Sequence, residues 1–126
     1  LFRSEQSDFI SVHAPLLPQT KGLVDYDAFK KMKKTAIIVN TARGPLINES
    51  DLIKALDNNE IGGAGLDVVE SEPLTADSPL LGRDNVILAP HTAFYSVEAL
   101  EELQSKAASD VARVLIGEDP IYPIKA

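Results

Sequence analysis

Residues 35–45 read T-A-I-I-V-N-T-A-R-G-P, from Thr35 to Pro45. An apolar run, 36–39, leads into a small polar turn that ends on Arg43, Gly44 and Pro45. A short uninterrupted apolar run bounded by turn residues suits a strand buried on both faces, as in a parallel sheet. Open α/β sheets place ligands beyond the carboxyl ends of their strands. An arginine held there by Gly44 and Pro45 is placed to grip a small anion.

The flanking segments extend the same pattern. Before the run, residues 9–12 (F-I-S-V) predict a strand, closed by His13-Ala14-Pro15, where Pro15 forbids a central ladder. Residues 18–22 predict a turn. Asp25 is the expected cap of a short helix through Tyr26, Phe29 and Met32, with Lys30, Lys31, Lys33 and Lys34 as its solvated basic end. After the run, Asn48 is the expected cap of a helix whose Leu52, Ala55 and Leu56 share one face.

Residues 62–69 predict a third strand, and its small residues fit places where backbones approach closely. An acidic loop over 70–82, with one helical turn near Leu80, leads to a fourth strand over 86–89 that ends at Pro90-His91. Ser96 caps the longest helix. Its Leu100, Leu103, Ala107, Val111, Val114 and Leu115 recur at three- and four-residue spacing and predict a buried face, and Gly117 stops it. The apolar tail 121–124 should lie against something else. Strands alternating with helices imply right-handed crossovers and a parallel α/β sheet of about four strands. The first strand would then have an open edge, which should pair with another chain or be distorted.

Composition narrows the function classes. The chain has 126 residues, one domain's worth, with 44% hydrophobic and 25% charged residues, ordinary for a globular protein. A net charge of -7 argues against a nucleic-acid partner. No apolar run approaches the ~20 residues of a membrane span. The absence of cysteine excludes disulfides and thiol chemistry and agrees with a cytoplasmic location. The chain opens on Leu1, and 1–4 reads like the interior of a helix or linker, so a trimmed chain is expected.

Three strand ends bring chemistry to one sheet edge: Arg43, then the carboxylates from Asp67 to Glu72, then His91. An arginine binds a carboxylate in two parallel hydrogen bonds, a histidine exchanges a proton near neutral pH, and an adjacent carboxylate favours the imidazolium. That combination suits reversible carbonyl reduction of a small acid, with hydride supplied by a separate cofactor. Asp67 is a carboxylate in an otherwise small and apolar strand, and burial would oblige it to find a partner. His13 reads as part of a structural turn. Gly63-Ala64-Gly65 is no dinucleotide fingerprint, since the third glycine's position holds Val68 and the motif lies within a strand. Two histidines far apart in sequence make no metal site. A phosphoacceptor receiver would need an acid pair after its first strand, where only His13 stands.

Four segments together resemble the D-isomer-specific 2-hydroxyacid dehydrogenases. They are Val12-His13-Ala14-Pro15-Leu16, I-V-N-T-A-R-G at 38–44, G-L-D-V-V-E-S-E-P at 65–73, and Pro90-His91, in family order. The resemblance implies that Arg43 binds the substrate carboxylate and polarises its carbonyl, and that Glu72 pairs with His91, the acid/base. It implies that Asp67 holds the nicotinamide carboxamide of NAD or NADP. His13, Pro15, Thr41 and Ala42 would line the cofactor cleft, with Arg43 and His91 also against it. A small 2-hydroxy or 2-oxo acid is the implied substrate, and a homodimer the implied full-length assembly. Residues 67–73 with Phe94-Tyr95-Ser96 also resemble the C-terminal-binding-protein branch, an NAD-sensing corepressor without a catalytic role, where Phe94 would narrow the pocket.

Family members have two domains, and their phosphate-binding loop precedes the segments matched here. The chain is therefore expected to be a partial Rossmann-type fold: 1–117 as the second mononucleotide-binding half, and 118–126 as a tail returning to the substrate domain. Without the phosphate loop it should be inactive alone and bind NAD weakly or not at all, because proximity is most of what such a site provides.

Overall fold

Three of the four predicted strands flank the run at 35–45, and in the computed structural model all four lie side by side in the order β1-β2-β3-β4. The structure describes residues 3–123; Leu1 and Phe2, read as helix or linker, and the tail beyond Pro123, including Ile124, lie outside the described residues. The chain divides into two units, 1–93 and 94–126.

The first unit holds β1 (Phe9–Val12), β2 (Ile37–Asn40), β3 (Gly63–Leu66) and β4 (Val86–Leu88), all parallel. Between them lie α1 (Tyr26–Lys30), a 3-10 turn (Gly44–Leu46) and α2 (Glu49–Asp57). Register sets two rows on one face: Ile10, Ile38, Ala64, Val86, and Val12, Asn40, Leu66, Leu88. This face forms the core with Ala28 and Phe29 of α1 and Leu52, Ala55 and Leu56 of α2. The caps are those expected: Asp25 accepts from the Ala28 amide at 2.8 Å, and Asn48 from the Asp51 amide at 3.0 Å. The two helices are also tied to each other, since Asp51 accepts from the Tyr26 amide at 3.1 Å and the Lys54 ammonium sits 4.1 Å from the Tyr26 ring centroid.

β2 departs from the expectation of burial on both faces. Ile38 and Asn40 are fully buried, whereas Ile37 and Val39 are half-buried. Each crossover advances one strand in the same direction, and right-handed crossovers of that kind place both helices on the same face. The other face stays open, with Phe9 71% and Ile87 76% exposed. β1 keeps full register with β2, so of the two outcomes expected at its open edge, pairing with another chain or distortion, distortion is not found among the described residues. The 67–85 connection contains turns and no helix: Leu80 plugs the core from a hydrogen-bonded turn in which the Leu81 amide donates to Ser78 O at 3.1 Å.

The second unit is built on α3 (Val97–Leu115), capped by Ser96, which accepts from the Ala99 amide at 3.0 Å. Gly117, at φ 83°, takes the left-handed turn that ends it. The buried face expected of α3 is not found, as none of its residues is buried. One helix and a short tail offer no second layer of their own to cover an apolar stripe. The tail does find a partner: Asp110 accepts from the amides of Ile121 and Tyr122, both at 2.9 Å. Among the described residues no helix is long and apolar enough to cross a membrane.

Candidate active site

Parallel strands end along one edge, so His13, Arg43, Asp67 and His91 all follow the carboxyl ends of their strands. The turn carrying Arg43 is shaped by Asn40, the last residue of β2. Its buried carboxamide donates to Arg43 O at 2.9 Å and accepts from the Ala42 amide at 3.0 Å. The Arg43 side chain is exposed, and its Nη1 donates to Ala42 O at 2.6 Å. Gly44 follows because nothing larger fits: a β-carbon there would lie 1.8 Å from Val69 O. That close approach presses the arginine turn against the start of the loop that carries Glu72.

Glu72 and His91 form a hydrogen-bonded pair, Oε2 to Nδ1 at 2.8 Å, with side chains 39% and 43% exposed. The second Glu72 oxygen accepts from the Val69 amide at 3.1 Å. The carboxyl is held below its ordinary 4.5, chiefly by the hydrogen bond from His91; burial opposes this, and the Val69 amide adds to the lowering. His91 takes a left-handed backbone, φ 56°, which a non-glycine residue adopts only where its surroundings dictate it.

Asp67 supplies those surroundings. Its carbonyl accepts from the His91 amide at 2.9 Å, and its carboxylate from the Thr92 and Ala93 amides at 2.8 and 3.0 Å. A carboxylate only 7% exposed thereby finds partners in two backbone donors of the neighbouring strand's loop.

The residues singled out in the sequence fall into three neighbouring recesses. Asp67, Glu72 and His91 border one whose walls are otherwise apolar, including Leu74, Leu81 and Leu88. Arg43 shares a second with His13, Pro15 and Ala42. Thr41 lies in a third with Val39, Asp67 and Thr92. Arg43 and His91 thus border different recesses within the first unit. His13 pairs locally, Nε2 lying 2.8 Å from the Ser11 hydroxyl. Phe94 and Tyr95 stack, with centroids 4.3 Å apart. In the sequence Asn40 has no role beyond its place in the family-like segment 38–44; the available signal is a lone amide at the last position of an apolar strand, just before a tight turn.

Residues 3–93 match the family model described as D-isomer specific 2-hydroxyacid dehydrogenase, NAD binding domain. A glyoxylate reductase of Thermofilum pendens is 47% identical over 116 residues, covering 92% of this chain and 34% of that protein. A hydroxypyruvate reductase of Blautia hydrogenotrophica is 44% identical over 112 residues, covering 89% of this chain and 35% of that protein. The chain therefore spans about a third of the length of these relatives. Among solved structures, D-lactate dehydrogenase with NAD+ from Lactobacillus jensenii superposes with a TM-score of 0.88 at 30% identity, over 98% of this chain and 41% of that one. The NADPH-dependent glyoxylate/hydroxypyruvate reductase of Sinorhizobium meliloti, in complex with NADP and malonate, gives 0.89 at 29% identity, over 98% and 38%. Family-model match, relatives and fold agree, and the chain belongs to the D-isomer-specific 2-hydroxyacid dehydrogenase family, matching its NAD-binding domain.

Proposed function

We propose that the protein carrying this chain interconverts small 2-oxo acids and D-2-hydroxy acids, using NAD or NADP. The observation that carries this reading is the Glu72–His91 pair, 2.8 Å apart at the carboxyl edge of a parallel sheet. With Glu72 engaging Nδ1, the Nε2 of His91 is the atom that gives a proton to the substrate oxygen in reduction and takes it back in oxidation. Arg43 presents a planar fork of N–H donors to the substrate carboxylate and orients the carbonyl beside it. NAD or NADP, when bound in the cleft, would supply the hydride.

His13, Pro15, Thr41 and Ala42, with Arg43 and His91, line the cofactor cleft. Asp67 fits the carboxamide as an acceptor, because a carboxylate offers about four lone-pair sites and only two are taken by backbone amides. In the whole protein, residues 1–117 would complete the cofactor domain as its second half, and 118–126 would return to the substrate domain. That protein is read as a cytoplasmic homodimer without nucleic-acid or membrane partners. The chain alone is read as inactive, because the phosphate-binding loop lies outside it.

The test is turnover of glyoxylate and hydroxypyruvate by the full-length protein and its His91→Gln and Arg43→Ala variants. Each variant should lose at least about a hundredfold in kcat/KM, on the order expected for loss of a positioned acid/base; near-normal turnover by either would overturn its role. A wild-type protein that binds NAD but turns over no 2-oxo acid would be a non-catalytic NAD-sensing module instead. Calorimetry of the isolated chain should show no micromolar NAD affinity, and finding such affinity would refute that part of the reading.

A further inference from the structure

Asn40 is the one polar member of its row across the sheet, flanked in register by Val12 and Leu66, with Leu88 beyond. It is 0% exposed, and the only other buried polar residue among those described is Asp67. A carboxamide at such a place is costly unless satisfied, and an aliphatic residue would fill the row as its neighbours do. Here both ends of the amide are engaged by the same turn: Nδ2 donates to Arg43 O, and Oδ1 accepts from the Ala42 amide. The backbone of Asn40 also reaches the other half of the site, its carbonyl accepting from the Asp67 amide at 3.0 Å.

Arg43 itself is an exposed side chain whose one described hydrogen bond goes to the adjacent carbonyl, Ala42 O. Its side chain therefore owes its starting point to its own backbone, and that backbone is anchored from inside the core by Asn40. We propose that Asn40 is a positioning residue for Arg43, its buried carboxamide clamping the 41–43 turn so that the guanidinium is delivered at a fixed place and angle to the substrate carboxylate. The proposal rests on the reading of Arg43 as the carboxylate-binding group. The Asn40 side chain is fully buried and bonds only to the turn, so Asn40 acts through the turn.

The decisive variant is Asn40→Leu, which keeps the branching at Cγ and the number of side-chain heavy atoms and matches the apolar row, but cannot pair with the turn. In the full-length enzyme it should raise the KM for glyoxylate at least tenfold while the NAD dissociation constant stays within twofold. In an Arg43→Ala background it should add less than a twofold further loss, because the guanidinium it positions is gone. If Arg43→Ala is impaired and Asn40→Leu keeps kcat/KM within twofold of wild type, the positioning role is refuted and the carboxylate-binding reading stands. A further tenfold loss in the Arg43→Ala background would also refute it, since Asn40 would then act independently of Arg43. A normal KM in Arg43→Ala alone overturns both. If Asn40→Leu does not fold, amide exchange in the wild-type chain decides. Protection of the Ala42 amide by a hundredfold or more supports the clamp, and exchange at the free-peptide rate overturns it.

Discussion

α2 and α3 carry the same kind of pattern and meet different fates. In α2, Leu52, Ala55 and Leu56 sit on one face and all three are buried. In α3, Leu103, Val111, Val114 and Leu115 recur at helical spacing, yet are 57%, 61%, 56% and 80% exposed. Both helices have the asparagine or serine cap that their sequences announce. The difference lies in what each unit supplies. α2 belongs to a unit with a sheet face and a second helix; α3 belongs to a unit of one helix and a tail. Amphipathic spacing states which face of a helix is apolar, and a covering layer must come from elsewhere.

Truncation in the two helices gives the largest test of this contrast. Leu52→Ala should cost about 2–5 kcal/mol in urea unfolding, as for a packed core leucine, whereas Leu103→Ala should fall within about 0.5 kcal/mol. Equal losses would mean that α3 is covered in solution and would erase the distinction.

Gly44→Ala comes next and acts on the first unit alone. A methyl 1.8 Å from Val69 O must push the arginine turn and the Glu72 loop apart. The expected cost is about 1–3 kcal/mol, the range for overpacking, with a changed His91 ring signal in NMR because the Glu72 partner moves. An unchanged signal and midpoint would show that the two loops are not in close contact.

The caps sharpen the comparison at about 1 kcal/mol each. Asn48→Ala should lower the global unfolding midpoint, while Ser96→Ala should speed amide exchange in the first turn of α3 and leave the Ile38 and Leu66 amides untouched. A lowered sheet midpoint in Ser96→Ala would show that α3 unfolds together with the first unit.

The smallest effect is on pH. The Glu72 carboxyl is depressed in the folded chain, first of all by the His91 hydrogen bond. Its stabilisation is therefore fully present above the unfolded value of 4.5 and is lost as pH falls through the lower folded value. The pair is exposed enough for solvent to screen it, so the amount is under about 1 kcal/mol. Glu72→Gln should flatten this part of the stability–pH curve and leave the plateau near pH 7 lower by that amount. An unaltered curve would mean that the pair adds nothing to folding.

Much of the candidate site is legible in the sequence. Arg43 stood out because an apolar run ended on it, His91 because it followed a strand and a proline, and Asp67 because a carboxylate in a run of small apolar residues needs a partner. The partner itself was not legible: Asp67 is satisfied by the amides of Thr92 and Ala93, and the first of these lies 25 residues away. The half-exposed face of β2 is not legible, since an unbroken apolar run looks the same whether one face or both are covered. Asn40 passed unnoticed because an amide before a turn looks like part of the turn, when its side chain in fact points into the core and holds the turn from beneath.

Local chemistry determined what the chain's own letters could decide: where strands and helices begin, which residues cap them, and which side chains have functional groups. These depend on neighbours a few residues away. Tertiary structure decided which groups meet. The Glu72–His91 pair, implied by the family resemblance and not by the neighbours of either residue, forms across 19 residues of sequence, and Asn40 meets Asp67 only because β2 and β3 pair in this register. It also decided what β2 and Arg43 are to one another. β2 is covered on one face, and the backbone of the arginine beyond it is held by an asparagine that the covered face buries.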